Sequence, residues 1–221
     1  MKKRHLIAIG LIATAVVLLL FFAIKRTASE NGAVGNAPPI VDYANREFGF
    51  SIRYPGGLAP ETDFKRFYAL PQTWRLDPPA ESTGTMIVAI PVFRIDQGGV
   101  ATGKSYPLYF DVEVRIGASD NANDIADCYK PNPGYVNQAP EDAVIRGLHF
   151  KKFSFENAAM MQYMKGASYR RIHNNECFAV EVVEAGSRYR DETMTPGLSD
   201  EELGAYYQKA EDIVSTFHFT D

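Results

Sequence analysis

The motif that most directly suggests chemistry is a glycine-rich run, GGVATGKS, at residues 98–105. It fits the P-loop pattern of nucleotide-binding proteins, in which backbone amides and a lysine hold phosphate groups. That mechanism needs a helix directly after the motif, with its N-terminus facing the phosphates. Tyr106 and Pro107 follow instead, and an alternating strand pattern begins at Tyr109. We therefore predict a glycine-rich connection between strands, and no nucleotide.

Histidine and glutamate side chains suggest a second candidate, a surface metal site. His149 and His173 are predicted on strands that lie close together, with Glu176 near the second histidine in sequence. Two ligands without close spacing are weak grounds for a metal site, and His5 and His218 lie elsewhere in the chain. We interpret the histidines as packed strand residues and predict no metal and no cofactor.

Acidic residues form the remaining candidates. Those that could offer oxygen ligands to calcium are Asp120, Asp124, Asp127, Glu141 and Asp142. Their spacing lacks the alternation and the central glycine of an EF-hand loop, and the first three suit the start of a helix. Carboxylates are numerous, but no pair is singled out for glycoside chemistry. With no Gly-x-Ser-x-Gly motif and no histidine beside either cysteine, no catalytic residue is predicted.

An apolar segment at residues 6–24 determines where these side chains would act. It has nineteen residues without a charge, and a helix of that length spans about 28 Å, close to the hydrocarbon thickness of a bilayer. Three Lys or Arg residues precede it and two follow it, which favours a cytoplasmic N-terminus at residues 1–5. We predict a transmembrane signal anchor. The alternative, a cleaved signal peptide, would export the same domain as a secreted or periplasmic protein.

The rest of the chain reads as a linker and one domain. Residues 25–39 are rich in glycine, proline and small side chains, as in a linker, and residues 40–221 are long enough for one domain with a sizeable core. After residue 26 there are 18 basic and 27 acidic residues, so this part carries a net charge of −9. Nucleic acid and anionic lipid surfaces repel such a domain and are poor partners.

The only cysteines, Cys128 and Cys177, both lie in this domain. Outside the cytoplasm two cysteines of one domain are usually bonded, so we predict a disulfide. Closing a loop of about fifty residues would contribute roughly 4 kcal/mol in the chain-entropy model. The alternative is two separately buried thiols.

Alternating apolar and polar residues predict a sheet. The strongest pattern, at residues 109–117, has apolar side chains on one face and Asp111, Glu113 and Arg115 on the other. An opening hairpin is predicted from Val41 to Tyr54. Further strands are predicted at residues 85–95, 143–145, 148–156, 163–173 and 177–185.

Three local features modify these strands. Pro91 places the strand at 85–95 at a sheet edge or a bulge. The alternation slips at Lys151-Lys152, which predicts a bulge. Asn174-Asn175 supplies a hairpin turn.

Two helices are predicted. Ser119 is expected to cap a helix that runs to about Tyr129. The second follows Ser199, where Glu202 completes a capping box, and its apolar stripe is wide enough to lie on a sheet. The stripe consists of Leu203, Tyr206, Tyr207, Ala210, Ile213, Val214 and Phe217.

The two ends of the domain together resemble PsbP-like domains. The motifs are Tyr43-x4-Phe48-Gly49-Phe50-Ser51-Ile52-x-Tyr54-Pro55, similar to their opening hairpin, and Glu211-x-Ile213-Val214-Ser215-Thr216-Phe217-x-Phe219, similar to their closing helix and its exit. The resemblance, shared with Mog1 proteins, implies an α+β fold with a central antiparallel sheet covered by helices on both faces (an α/β/α sandwich). It also implies binding or stabilising of larger assemblies without catalysis. The matching residues specify a fold, and none is a functional residue that could be carried over.

We therefore expect a membrane-tethered, extracytoplasmic binding or assembly module without catalytic activity. It would present loops such as residues 58–79 or 191–198 to an envelope protein or a small ligand. Two alternatives stay open: a cell-envelope hydrolase that uses unidentified carboxylates, and a structural subunit of a membrane complex. In the latter the apolar helix would pack through Gly10, Ala13 and Thr14.

Overall fold

The computed structural model describes residues 38–62, 85–95, 100–101, 104–105, 109–131, 139–159, 162–187 and 198–220. The chain divides into two units between Pro38 and Pro39, and the description concerns the second. The predicted anchor at residues 6–24 and nearly all of the predicted linker lie outside the described residues. Within the described ranges, no helix combines the length and the apolar character needed to cross a membrane.

A six-stranded antiparallel sheet forms the body of the domain, in the order β3-β6-β10-β9-β8-β7. Its strands are β3 (Thr85–Ile95), β6 (Phe110–Ser119), β7 (Glu141–Ile145), β8 (Leu148–Ala159), β9 (Gln162–His173) and β10 (Glu176–Ser187). A second sheet, in the order β1-β2-β11, joins β1 (Ile40–Asn45), β2 (Phe50–Pro55) and β11 (His218–Phe219). β4 (Val100–Ala101) and β5 (Lys104–Ser105) pair with each other. The predicted strands are confirmed, with ends that differ by a few residues.

One face of the six-stranded sheet is apolar and holds the main core. Val112, Val114 and Ile116 of β6 alternate onto this face and are fully buried. The C-terminal helix α2 (Asp200–Val214) lies against β6 and β10 on the same side. Its capping box is complete, since Ser199 Oγ accepts from the amide of Glu202 and the Glu202 carboxylate accepts from the amide of Ser199. The predicted helix and its cap are confirmed.

The second sheet closes the same core from the side. Phe50 and Ile52 of β2 are fully buried, and the ring of Phe217, just beyond α2, stacks on that of Phe50 with centroids 5.5 Å apart. β11 then pairs with β2, so that Phe219 lies opposite Phe50. The two ends of the domain that carry the family resemblance are therefore in direct contact.

The connection between β9 and β10 is a tight turn at Asn174-Asn175, as the sequence predicts. Asn174 and Asn175 both adopt positive φ angles, 47° and 64°, as a tight hairpin turn requires. Pro91 lies on β3, an edge strand, beside a shift in register between Pro91 and Phe93. Both predictions are confirmed.

The predicted bulge at Lys151-Lys152 is wrong. β8 pairs in unbroken register with β7 and with β9 through these residues. The slip in alternation arises because the strand buries first one face and then the other. Phe150 packs in the main core, whereas Phe153 and Phe155 are buried on the opposite face.

The described residues contain fewer helices than the predicted α/β/α sandwich, in which helices cover both faces of the sheet. The described residues contain two helices, α2 and the six-residue α1 (Ala122–Asp127) at the end of β10. The domain is mostly antiparallel sheet with few helices, so the α+β description fits it only loosely. α1 is also capped by Asn121 and not by Ser119, because β6 extends through Ser119.

Candidate functional site

The glycine-rich motif forms part of a β-hairpin. Val100 pairs with Ser105 and Ala101 with Lys104, as the antiparallel strands β4 and β5. A strand thus stands where a P-loop needs the start of a helix. The predicted connection between strands is confirmed, and the absence of nucleotide binding stays a prediction.

The two cysteines are bonded to each other. Cys128 follows α1, Cys177 lies on β10, and their Cα atoms are 5.7 Å apart. Both side chains are buried, and the bond holds α1 against the sheet. The predicted disulfide is confirmed, so neither sulfur is available as a nucleophile or as a metal-binding thiolate.

The histidines are placed as packed or surface strand residues. His173 stacks on Phe219, with ring centroids 3.6 Å apart, and faces Glu176 across the β9–β10 turn. His149 lies on the neighbouring strand β8, opposite Val144 of β7. Burial, with Asp120 nearby, raises the pKa of Glu176, while His173 opposes the change. Among the described residues, no three His, Cys, Asp or Glu side chains come together as a metal site would require.

The acids considered for calcium have local roles. Asp124 is buried and accepts a hydrogen bond of 2.7 Å from Ser119 Oγ. Asp127 binds Lys130 at 2.6 Å, and Asp142 binds Lys151 at 2.6 Å. The Lys151 hydrogen bond and charge lower the pKa of Asp142.

A buried layer of charge covers the face of the sheet opposite the main core. Its centre is Arg94 of β3, whose guanidinium reaches Glu61 at 2.7 Å, Glu113 at 2.9 Å and Asp111 at 3.2 Å. Burial opposes the charge of Arg94, but the carboxylates outweigh it and its pKa is raised. Glu113 also pairs with buried Arg115.

The layer continues across the sheet to β9. Arg170 is buried; it donates to Ser168 Oγ at 3.1 Å and to the carbonyl of Lys130 at 3.0 Å. Its guanidinium lies 4.4 Å from the centre of the Phe153 ring, a cation–π distance. The acids of β6 are therefore held in ion pairs. The sequence pattern predicted that they share a polar face, but not that this face is buried.

A cleft of about 670 Å³ lies on the core-side face, between the strand ends of β8–β10 and the first turns of α2. Its lining includes Glu156, Lys165, Glu184, Asp200, Gly204 and Tyr207. Ala158 adds apolar surface. The volume falls within the roughly 300–1,000 Å³ typical of small-molecule sites.

Glu184 is the buried charge of the cleft, with 1% of its surface exposed. Its Oε1 accepts from the Tyr163 hydroxyl at 2.8 Å and pairs with Lys165 Nζ at 3.2 Å. Tyr207 lies on the helix side, and burial, followed by the charges of Glu211 and Glu184, raises the pKa of its hydroxyl. That hydroxyl therefore stays protonated and can donate a hydrogen bond.

The cleft has the volume of a small-molecule site, and the carboxylate buried in it, Glu184, is ion-paired with Lys165. Sequence reasoning missed it, because Lys165 and Glu184 are nineteen positions apart and meet only through the β9–β10 register. The one available signal was a lysine and a glutamate on predicted neighbouring strands. The loops expected to present a binding surface, residues 58–79 and 191–198, lie mostly outside the described residues.

Solved structures to which this chain is similar include one of a cyanobacterial and one of a mycobacterial protein. No family model and no curated protein matches the sequence. The solution structure of cyanobacterial PsbP (CyanoP) from Synechocystis sp. PCC 6803 is 12% identical with a TM-score of 0.40, covering 85% of this chain and 96% of that one. LpqN, involved in cell envelope biogenesis of Mycobacterium tuberculosis, is 10% identical with a TM-score of 0.36, covering 82% and 92%. The fold described above depends on the chain's own strand pairing and not on these similarities.

Proposed function

We propose that the chain is a membrane-tethered, extracytoplasmic binding module of the PsbP- and Mog1-like type, without catalytic activity. Residues 6–24 would span the membrane once and residues 40–221 would lie outside the cytoplasm. The observation that carries this proposal is the disulfide between Cys128 and Cys177.

The disulfide supports the compartment. Cytoplasmic thiols are kept reduced, whereas exported domains keep their disulfides. Both cysteines are buried, whereas cysteines that react with oxidants are usually accessible to solvent, so we interpret the bridge as structural. A structural bridge in an exported domain and a charge-free N-terminal segment of nineteen residues support the same location independently.

The contact between the domain's two ends supports the fold type. The residues similar to PsbP-like domains lie in β2 and in the α2–β11 exit, and these elements pair directly. The stacked rings of Phe50 and Phe217 explain why the two motifs occur together.

The arrangement of acids supports binding over catalysis. Asp111 and Glu113 are held by Arg94, and Glu184 is held by Lys165 and Tyr163. A carboxylate so paired is a poor proton donor or nucleophile compared with one poised for acid–base chemistry. Among the contacts of the described residues, none specifically favours the hydrolase alternative.

Paired reporters test the location. Alkaline phosphatase and green fluorescent protein would each be fused after Asp221 and expressed in a bacterial host. We expect phosphatase activity and no fluorescence, because the first folds outside and the second inside the cytoplasm. Deleting residues 6–24 is the matched control and should reverse both readings. Fluorescence without phosphatase activity in the intact fusion would contradict the proposal.

A further inference from the structure

β1 has a row of backbone groups with which no described strand pairs. It lies at the border of the three-stranded sheet, and β2 occupies its other side. The amide of Gly56 donates to the carbonyl of Pro39 at 2.6 Å, so these two residues continue the β1–β2 register as a hydrogen-bonded pair. Such pairs alternate along antiparallel strands. The N–H and C=O groups of Ile40, Asp42 and Ala44 therefore point away from β2.

The other border strands of the two larger sheets are protected against pairing with another chain. β3 carries Pro91 and two shifts in register, β11 has two residues, and β7 has five residues that begin with Glu141 and Asp142. Proline, irregularity, shortness and charge are the usual features that block such pairing. β1 keeps its register over six residues, with Asp42 as its one charged side chain, and Ile40 at its start is 64% exposed. β1 is therefore the border strand best suited to receive another strand.

We propose that β1 pairs with β1 of a second copy of this chain, antiparallel and about a two-fold axis. The inference rests on the proposed function for its tether. Fifteen residues separate β1 from the apolar segment 6–24 in every copy, so copies in one membrane hold β1 near the same surface and at a raised effective concentration. The starts of two antiparallel six-residue strands lie about 20 Å apart. A fifteen-residue chain reaches up to about 50 Å, so both tethers can enter one membrane.

Charge and hydrogen bonding favour one register for this pairing. With Asp42 opposite Asp42 of the second copy, like charges would lie side by side, which destabilises a strand pair. With Ile40 opposite Asp42, Pro38 would lie opposite Ala44 without an N–H to donate. With Asp42 opposite Ala44, neither problem arises. The two Tyr43 side chains then lie opposite each other at the axis, and aromatic cross-strand pairs stabilise a sheet.

Disulfide crosslinking in membranes tests this register. Asp42→Cys and Ala44→Cys, both at exposed positions, would be made in two full-length copies that carry different tags and are expressed together. After mild oxidation we expect at least about five times more mixed dimer than in the control, since residues of a hydrogen-bonded pair have the Cα spacing that a disulfide needs. The control is Val144→Cys in both copies, 61% exposed on the border strand β7. A mixed dimer no more abundant than the control would overturn the proposal.

Ala44→Pro tests the pairing without a new cysteine. It removes an N–H that points away from β2, where a border strand tolerates proline, and Ala44→Ser is the matched control that keeps the N–H. In formaldehyde-fixed membranes, two tagged copies of the unmodified chain or of Ala44→Ser should co-purify. Ala44→Pro should reduce co-purification at least about fivefold, with the Cys128–Cys177 bond still formed as evidence of folding.

Equal co-purification of a folded Ala44→Pro variant, or none of the unmodified chain, would overturn the proposal. If Ala44→Pro does not fold, the crosslinking result decides. An absent dimer in a chain whose reporters place Asp221 outside the cytoplasm would leave the proposed location standing.

Discussion

At the residue scale, charge is buried where a sheet face would ordinarily be apolar or exposed to solvent. Arg94 joins three carboxylates, and one of them, Glu113, has only 2% of its surface exposed. Buried ion pairs add little net stability compared with apolar packing. Removing one partner is nevertheless strongly destabilising, because it leaves the other charge buried without compensation. The stability of the sheet therefore depends on every charge in this layer keeping its partner.

Arg94→Met should test that dependence. It removes the cation and keeps most of the volume, leaving Glu113 and Asp111 without this partner. We expect a loss of about 3 kcal/mol in the free energy of unfolding, measured by urea titration. Arg53→Met, on the exposed side of β2, is the control and should change it by less than about 0.5 kcal/mol. Equal values for both variants would contradict the stated role of the charged layer.

Tyr169 offers a second test, through pH. Its hydroxyl donates to Glu211 at 2.7 Å, and burial, followed by that hydrogen bond, raises its pKa. The unfolded chain releases this proton near pH 10, whereas the folded protein keeps it. Stability from Tyr169 is therefore fully present below about pH 10 and declines as the pH rises further.

Tyr169→Phe should lower the free energy of unfolding by about 1–2 kcal/mol at pH 8. It should also reduce the decline in stability between about pH 9.5 and 11, since one titrating group is gone. Tyr43→Phe is the control, because Tyr43 contacts Phe50 through its ring. A pH profile of Tyr169→Phe parallel to that of the unmodified chain would show that the pKa of Tyr169 is not raised.

The sequence predicted which residues alternate on β6 but not that both faces are buried. Asp111, Glu113 and Arg115 follow an ordinary polar pattern. Their burial depends on Arg94, a strand away, and on Glu61, whose backbone pairs with Ala89. Such distant partners leave no local periodicity to detect.

At the element scale, patterns with strong local causes were predictable. The capping box of α2, the Asn174-Asn175 turn and the edge position of β3 each follow from residues within a few positions. The change of buried face along β8 was not predictable. A slip in alternation gives the same sequence pattern whether the strand bulges or is covered on both sides.

Two glycines in different elements give opposite predictions. At Gly166 of β9 a Cβ would lie 1.9 Å from the Val182 carbonyl oxygen and 2.6 Å from the Phe155 ring. Gly166→Ala should therefore cost several kcal/mol, on the order of 3 or more, or prevent folding. Gly204→Ala, in open space on α2, should instead stabilise the protein by about 0.5–1 kcal/mol.

Thermal or urea unfolding of both variants measures the difference. The pair is matched, since each replaces one hydrogen by a methyl group. If Gly166→Ala leaves the free energy of unfolding unchanged, β9 and β10 can move apart more easily than their close backbone contact implies.

At the scale of the whole molecule, the disulfide connects α1 to the centre of the sheet across a separation of 49 residues. Replacing both cysteines by serine should lower the free energy of unfolding by about 2–4 kcal/mol, because the unfolded chain regains its freedom. Urea unfolding of the oxidised chain and of the double variant measures this loss. A loss below about 1 kcal/mol would indicate that the bond adds little to the stability of the fold.

The cleft belongs to this scale as well. Its charged residues come from three strands and a helix, and only the strand register brings Glu156, Lys165 and Glu184 to one level. Sequence reasoning predicted the disulfide, which depends on the cysteine count. It could not reach a site whose residues share no local spacing.

The most direct test of the account is the oxidation state of the cysteines in living cells. Cells expressing the full-length chain would be quenched in acid, and the denatured protein treated with a polymer-linked maleimide that adds mass to each free thiol. We predict no mass shift without reductant and a shift of two additions after reduction, as an oxidised Cys128–Cys177 pair outside the cytoplasm requires. Two additions without reductant would contradict both the bond and the location.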